Sequence, residues 1–432
     1  MGKIPYQVYE QYLICLLPDG RVEFLSQEIK PLIEKVNNQK LEYQNINFDK
    51  YIVHNPLVNI NRFHLSSPVI AFIEITNLCN LRCKHCYADS AFKRPNEMST
   101  EAILKLIDEL ADMGVLQVFL TGGEVFSHPD AVKIINYART KPFLTQVFTN
   151  GLLITEEKLA SITSGTSFFI SFDTAVPERT IRGGMSFPKL QQRFEWMKEY
   201  GHSLRTAVSV HRYNIKDVEG IFEWCIQNNF PRPQWLETHP IGRALLHPDL
   251  MLKIEDIEEV FDAYKQCMDK FSENPFEEDF LSDKEKEDLY VVQTIKFCQS
   301  LERATNQEKC GRSLVYINSA GEVYPCSNCM SNSMYKAGNL ENFSFKEIWT
   351  NGFRDFREIT FDQYEICNNC DINKEDIWCQ FRCPPLSHNV SKNIKGCGAT
   401  DYLKIFMMKT HKYWADREKQ NIKLTMRKKK IL

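Results

Sequence analysis

From residue 69 to about 240 the chain alternates short β-rich runs with longer helical patterns, and no other feature narrows its fold as far. Six strands are predicted, at 69–75, 117–120, 144–148, 167–172, 204–210 and 234–238. Helical patterns lie between them. In 100–113, for example, Ile103, Leu106, Ile107 and Leu110 recur on one face, Ser99 is placed to cap the start, and Gly114 ends the run. Six consecutive units with right-handed crossovers imply an α/β fold, a partial (β/α)6 barrel whose reactive face lies at the carboxyl ends of its strands.

The flanks read differently. Residues 1–66 predict a small α+β element, with a hairpin over 12–25 turning at Pro18, Asp19 and Gly20, then a helix over 27–36. Residues 250–300 look helical and heavily charged, with a solvated face at 283–288. The expected division is 1–66, a barrel at 67–295, a cysteine-rich domain at 296–405 and a basic tail at 406–432 that ends in Arg427, Lys428, Lys429 and Lys430. With 432 residues and 43% apolar content the chain can bury cores for two or three domains. A formal charge of −3 gives no electrostatic reason to expect nucleic acid as a partner. The first ten residues carry no basic-then-apolar signal, and no apolar run approaches the length of a spanning helix, so the expected location is cytoplasmic, without a membrane partner.

The 15 cysteines are grouped. Cys15, Cys225 and Cys267 are scattered. Three more fall within residues 79–86 and nine within 298–397. In a reduced compartment disulfides seldom persist, and grouped thiolates hold metal more often than they cross-link. Cys79, Cys83 and Cys86 directly follow the first strand. Three thiolates on one loop can bind three irons of a four-iron cubane and leave the fourth iron open to an outside ligand. Zinc would ordinarily draw a fourth protein ligand, and His85, between two of the cysteines, is poorly placed to be it.

This spacing, with Tyr87 after the last cysteine, resembles the signature of the radical S-adenosylmethionine superfamily. The resemblance implies that the open iron chelates S-adenosylmethionine, which is cleaved to a 5′-deoxyadenosyl radical. Thr121, Gly122, Gly123 and Glu124 after the second strand resemble the family's Gly-Gly-Glu motif, in which the glycine backbone admits the cofactor's ammonium and Glu124 offers it a carboxylate. Asn150, Ser171 and Asp173 stand where relatives place cofactor- or substrate-facing polar groups, although Asn150-Gly151 is equally good turn chemistry. Pro240-Ile241-Gly242-Arg243 resembles a Pro-x-Gly-Arg turn. Arg243 there either pairs with a carboxylate of cofactor or substrate or is an ordinary surface arginine.

Residues 313–324 predict a hairpin turning at Ala320-Gly321, which would bring Cys310 and Cys326 together. With Gly338-Asn339-Leu340, Glu347-Ile348-Trp349 and the later cysteines, this order resembles the SPASM domain of radical enzymes that mature peptides and proteins. The resemblance implies two auxiliary 4Fe-4S clusters. Cys310, Cys326 and Cys383 would serve the nearer one, with Cys329 or Cys298 as fourth ligand. Cys367, Cys370, Cys379 and Cys397 would serve the farther one. Asp376 occupies the spacing at which relatives carry the third of these, so it competes with Cys379, the softer ligand. A two-zinc site is the other reading of this region.

The same resemblance implies an enzyme that abstracts hydrogen from a ribosomally made peptide and leaves a crosslink, a thioether or an epimerised residue. Its partners would be a peptide or protein substrate and an electron donor such as flavodoxin or ferredoxin. The rivals are a sulfatase-type protein maturase, a haem-precursor enzyme and, from another class, a non-catalytic iron-sulfur electron carrier. The start of the chain faintly resembles a winged-helix leader-peptide element, with a packing extension as the alternative. Cys225 and Cys267 are either hydrogen donors or packing thiols.

Overall fold

In a computed structural model the described residues are 6–272, apart from 10, 11, 18–21, 39, 43, 44, 52–63, 175, 177, 178 and 229–232, and 310–429, apart from 361, 362, 375–378 and 380. The expected helix after Ser99 forms as α2, Thr100–Asp112, if α1 is Lys30–Asn37 near the amino terminus. Ser99 Oγ accepts from Ala102 N at 3.2 Å, and Ile103, Leu106, Ile107 and Leu110 are buried along one face. Gly114, at φ +80°, takes a backbone conformation that side chains resist, and the chain turns there into the next strand.

Three antiparallel strands, β1 Tyr6–Tyr9, β2 Tyr12–Leu16 and β3 Val22–Ser26, form a separate sheet in the order β1-β2-β3. With α1 they enclose a small core of Leu13, Cys15, Leu17, Leu25, Ile29 and Ile33. The expected turn residues Pro18, Asp19 and Gly20 lie outside the described residues.

All six strands of the barrel are present: β4 Ile70–Glu74, β5 Gln117–Thr121, β6 Leu144–Thr149, β7 Ser167–Ser171, β8 Ser203–Val210 and β9 Gln234–Glu237. Each pairs in parallel with the next. The predicted hairpin is present too, as β10 Leu314–Ile317 and β11 Glu322–Tyr324, followed by β12 Gly338–Asn339. β10 pairs in parallel with β4, so the sheet is one unclosed layer of nine in the order β12-β11-β10-β4-β5-β6-β7-β8-β9. The cysteine-rich segment thereby extends the barrel wall.

Side-chain alternation divides the wall into two faces. Ala71 and Ile73 of β4 pack with the helices, while Ile70 and Phe72 face inward. Inside, one ring from each of β10, β4, β5, β6 and β7 makes a continuous aromatic floor. Tyr316 to Phe72 is 6.2 Å between centroids, Phe72 to Phe119 4.4 Å, Phe119 to Phe148 5.2 Å and Phe148 to Phe169 4.7 Å. Glu74, fully buried above that floor, accepts from Tyr316 Oη at 3.1 Å and Ser319 N at 3.2 Å and is ion-paired with Arg94. Both hairpin residues lie more than two hundred positions from Glu74, so this carboxylate fastens the hairpin to the first barrel strand.

The carboxyl terminus corrects one expectation. Residues 406 onward do not begin a tail, because a helix runs through Asp401–Lys429. Phe406 is buried and stacks 6.2 Å from Trp235, Lys409 pairs with Glu258 at 2.8 Å, and Tyr413 Oη donates to Asp269 at 2.7 Å. The aromatic residues set among the lysines dock this helix on the helix Ile257–Ser272. The charged stretch at 283–288 and Cys298 lie outside the described residues. Cys225 and Cys267 are fully buried in the main core, and burial pushes each thiol up to about 12, as befits packing thiols.

Candidate active site

The cysteine triplet leaves the carboxyl end of β4 on a loop held from three sides. From the first side, Glu97 accepts from Thr76 Oγ1 at 3.0 Å and Asn77 N at 2.7 Å. From the second, the Gly122-Gly123 turn closes onto the loop backbone, Gly123 N donating to Thr76 O at 2.7 Å and Glu124 N to Leu78 O at 2.9 Å. A Cβ at Gly123 would stand 2.5 Å from Leu78 O, and one at Gly122 would stand 2.7 Å from Thr76 O. The glycines are therefore required for this backbone approach, whatever else they admit. From the third side, Arg243 donates Nη1 to Cys83 O at 2.9 Å, Nη2 to Ser90 O at 2.8 Å and Nε to Asp89 Oδ1 at 2.8 Å. Neither expected role of Arg243 describes this arrangement, in which its whole fork grips the cysteine loop.

None of the described cysteines forms a disulfide. Leu81 N donates to Cys79 Sγ and Ser90 N to Cys86 Sγ, both at 3.4 Å, and at Cys79 that bond favours the thiolate. Burial opposes it, raising Cys79 and pushing Cys83 up to about 11. Half-buried thiols of this kind ionise readily once a metal takes them. Three thiolates on one loop match three irons of a four-iron cubane. The donor set fits a cluster. Tyr87, 38% exposed, lies edge-on to Tyr316 at 6.5 Å beside it.

Glu124 is 1% exposed, and burial raises its pKa. Its carboxylate accepts from Thr149 Oγ1 at 2.6 Å, Asn150 N at 2.7 Å and Phe126 N at 3.1 Å. A carboxylate has about four acceptor positions, so one remains for an outside cation. Asn150 Nδ2 reaches Asn80 Oδ1 in the cysteine loop at 2.9 Å, which ties the end of β6 to the triplet.

The opposite rim is organised by Asp173, two residues beyond Ser171 at the end of β7. Burial alone would raise its pKa, but the His211 hydrogen bond and the charge of Arg182 outweigh burial and hold the carboxyl at about 2. Arg182 Nε is 3.6 Å and His211 Nε2 3.5 Å from its oxygens, and Arg182 Nη2 donates to Ser209 Oγ at 3.0 Å. Arg182, Ser209 and His211 escaped the sequence reading. The one available signal was the arginine before Gly183-Gly184, both at positive φ, which bend the chain back under the cysteine loop at Arg82. Along this rim Arg182 Nε, His85 Nδ1, Thr238 Oγ1 and His239 Nδ1 are buried without hydrogen-bond partners among the described residues. Unsatisfied donors and acceptors in such number suit a zwitterionic ligand.

The later cysteines assemble into two sets. Cys326 Sγ is 3.7 Å from Cys329 Sγ, and its hydrogen bonds with Cys310 and Cys329 lower its pKa. Cys383 flanks Cys329. Cys367, Cys370, Cys379 and Cys397 line one cavity of about 490 Å³ with Arg382 and Lys404 at its wall. Cys379 thus lines the cavity, while the competing Asp376, like Cys298, lies outside the described residues.

Two family profiles match in the same order as these sites: the radical SAM superfamily over residues 73–225, and an iron-sulfur cluster-binding domain, SPASM, over 309–371. The chain is a radical SAM enzyme with a SPASM domain. Its cofactors are S-adenosylmethionine and iron-sulfur clusters. It is 28% identical over 291 residues to the antilisterial bacteriocin subtilosin biosynthesis protein AlbA of Bacillus subtilis, a match that covers 65% of this chain and 59% of AlbA, less than two thirds of that protein. To an AdoMet-dependent heme synthase of Nitratidesulfovibrio vulgaris it is 27% identical over 324 residues, 72% of this radical SAM chain and 86% of the synthase. The fold resembles Streptococcus suis SuiB bound to S-adenosylmethionine, with a TM-score of 0.68 at 15% identity over 93% of this chain and 99% of SuiB. Among the described residues no helix is long and apolar enough to cross a membrane.

Proposed function

We propose that this radical SAM enzyme modifies a ribosomally made peptide, removing a hydrogen atom from it and leaving a crosslink, a thioether or an epimerised residue. The two four-thiol sets carry this assignment. Eight cysteines, Cys310, Cys326, Cys329 and Cys383 with Cys367, Cys370, Cys379 and Cys397, give two auxiliary clusters a full set of protein ligands. Fully ligated clusters take and give electrons rather than bind substrate, which suits oxidative chemistry on a bulky substrate. Relatives support the substrate class, since AlbA takes part in bacteriocin biosynthesis and SuiB is known bound to a precursor peptide.

In this assignment Cys79, Cys83 and Cys86 hold the first cluster. Bound together, that cluster and S-adenosylmethionine supply a 5′-deoxyadenosyl radical by one-electron cleavage. The chain's own residues do the positioning. Arg243 and the Gly122-Gly123 turn fix the height of the loop, Glu124 keeps one acceptor position for an ammonium, and Arg182, steadied by Asp173, presents a cation to a carboxylate. Ser171 and Asn150 close the ends of their strands on the same mouth, and Tyr87 offers a ring face there. A flavodoxin or ferredoxin would deliver the electron.

The haem-synthase relative, matched over 86% of its length, favours a second reading, a tetrapyrrole precursor as substrate. Anaerobic incubation of the cluster-loaded protein with the peptide encoded beside its gene, followed by mass spectrometry, separates the two. Loss of a hydrogen pair, or solvent deuterium fixed at one carbon, supports peptide maturation. An unchanged peptide alongside a converted tetrapyrrole overturns it.

A further inference from the structure

Arg357 ends the short helix Arg354–Arg357 and is 3% exposed. Its Nε donates to Gly311 O at 2.6 Å and Nη1 to Thr350 O at 3.4 Å, while the guanidinium lies 4.8 Å from the Trp349 ring centre and 5.1 Å from that of Phe353. Nη2 has no hydrogen-bond partner among the described residues. These partners are all neutral. The charge that acts on Arg357 is a second buried guanidinium, Arg312, which donates to Arg357 O and to Ile359 O. Burial and the like charge of Arg312 push Arg357 down to about 9, far below an ordinary arginine.

A desolvated cation that meets only carbonyls and rings among the described residues is a costly thing to bury, and an arginine escapes the cost by meeting an anion rather than by losing its proton. The neighbourhood provides one. Gly311, which Arg357 grips, follows Cys310, and Phe356 packs in the same buried cluster as Cys310, Cys326 and Cys329. A cubane held by four thiolates is a net anion in its oxidised form and gains a further negative charge when it takes up one electron. We infer that Arg357, with Arg312 beside it, is the counter-charge of the nearer auxiliary cluster and raises that cluster's reduction potential. The inference rests on the assignment of Cys310, Cys326, Cys329 and Cys383 to that cluster. Because the reduced form is the more negative, the guanidinium stabilises it more than the oxidised one. Arg357 is a positioning residue of the redox centre.

The test is a dithionite redox titration followed by electron paramagnetic resonance on full-length, anaerobically reconstituted protein. Cysteine-to-alanine changes at 79, 83 and 86 remove the first cluster's signal from the background. Arg357→Gln removes the charge and Arg357→Lys keeps it. At the wild-type midpoint the Gln variant should show the ratio of reduced to oxidised nearer cluster lowered about tenfold, equivalent to a negative shift of about 59 mV for one electron. The Lys variant should stay near wild type, and the farther cluster should move less than the nearer. An unmoved nearer cluster in the Gln variant overturns the inference. If instead wild type shows no second auxiliary signal at all, the ligand assignment has failed. Should the Gln variant load no iron, the cluster-free proteins decide: it should melt no lower than cluster-free wild type, because an uncompensated charge has gone. A lower melting temperature would show that Arg357 acts as a strut, and would overturn the inference.

Discussion

Arg243→Ala tests how the cysteine loop is held. The substitution removes two charge-assisted hydrogen bonds to the carbonyls of Cys83 and Ser90 and the ion pair with Asp89. A hydrogen bond to a charged group contributes about 1.5–3 kcal/mol. Asp89 is 69% exposed at its side chain, so its pairing contributes roughly 0–1 kcal/mol. Water can replace the guanidinium at half-buried Cys83 but not at Ser90, which is 2% exposed. The lower end of the range is therefore the reasonable sum, about 3 kcal/mol, all of it local to residues 83–90. At about 1.4 kcal/mol per tenfold, the open loop should become roughly a hundred times more populated. Hydrogen exchange reads this at the amides of Cys86 and Asp89, which are bonded to Cys83 O and Cys86 O at 3.3 Å each. Iron content after reconstitution reads its consequence. Arg243→Lys should fall between, because a single ammonium cannot span all three acceptors. Wild-type exchange and full iron loading in the alanine variant would refute the clamp.

Gly123→Ala should cost roughly 2–3 kcal/mol and depress iron loading, since the new methyl meets backbone rather than a movable side chain; a melting curve within error of wild type would contradict this. Half-buried Glu237 is raised by burial from 4.5 to about 7. Its folded form binds the proton more tightly than its unfolded form, so stability falls as pH climbs from about 4.5 through about 7. Glu237→Gln should therefore match wild type in melting temperature near pH 4.5 and exceed it above pH 7, by at most roughly 3 kcal/mol of stability, with the Trp235 Nε1 hydrogen bond retained. For the farther cluster, Cys379→Ala should lose about four irons per chain while Asp376→Ala keeps them; the reverse pattern in an iron assay would exchange the two residues' roles.

The barrel was legible because its strands are buried runs of valine, isoleucine and phenylalanine, separated by helices with a different period, and that contrast is written locally. The grouped thiols were legible for the same reason, spacing within one loop being a local property. Long-range pairing was not. Nothing in the 314–324 hairpin signals that β10 will lie beside β4, because the buried Glu74 that fastens them meets Tyr316 and Ser319 only after folding. Arg243 could be found by motif, but its grip on the loop depends on the curvature of the whole sheet. Arg182 and His211 were hidden because they become a site only through Asp173. The terminal helix was misread because lysines outnumber the aromatic residues that dock it.

Every assignment made above depends on a first cluster that leaves one iron for S-adenosylmethionine. The direct measurement is chromatographic detection of 5′-deoxyadenosine after anaerobically reconstituted, dithionite-reduced protein is mixed with the cofactor. Wild type should form it, and Cys83→Ala, with its auxiliary clusters intact, should form none. A fully loaded wild type that forms none, or an alanine variant as active as wild type, would contradict the account.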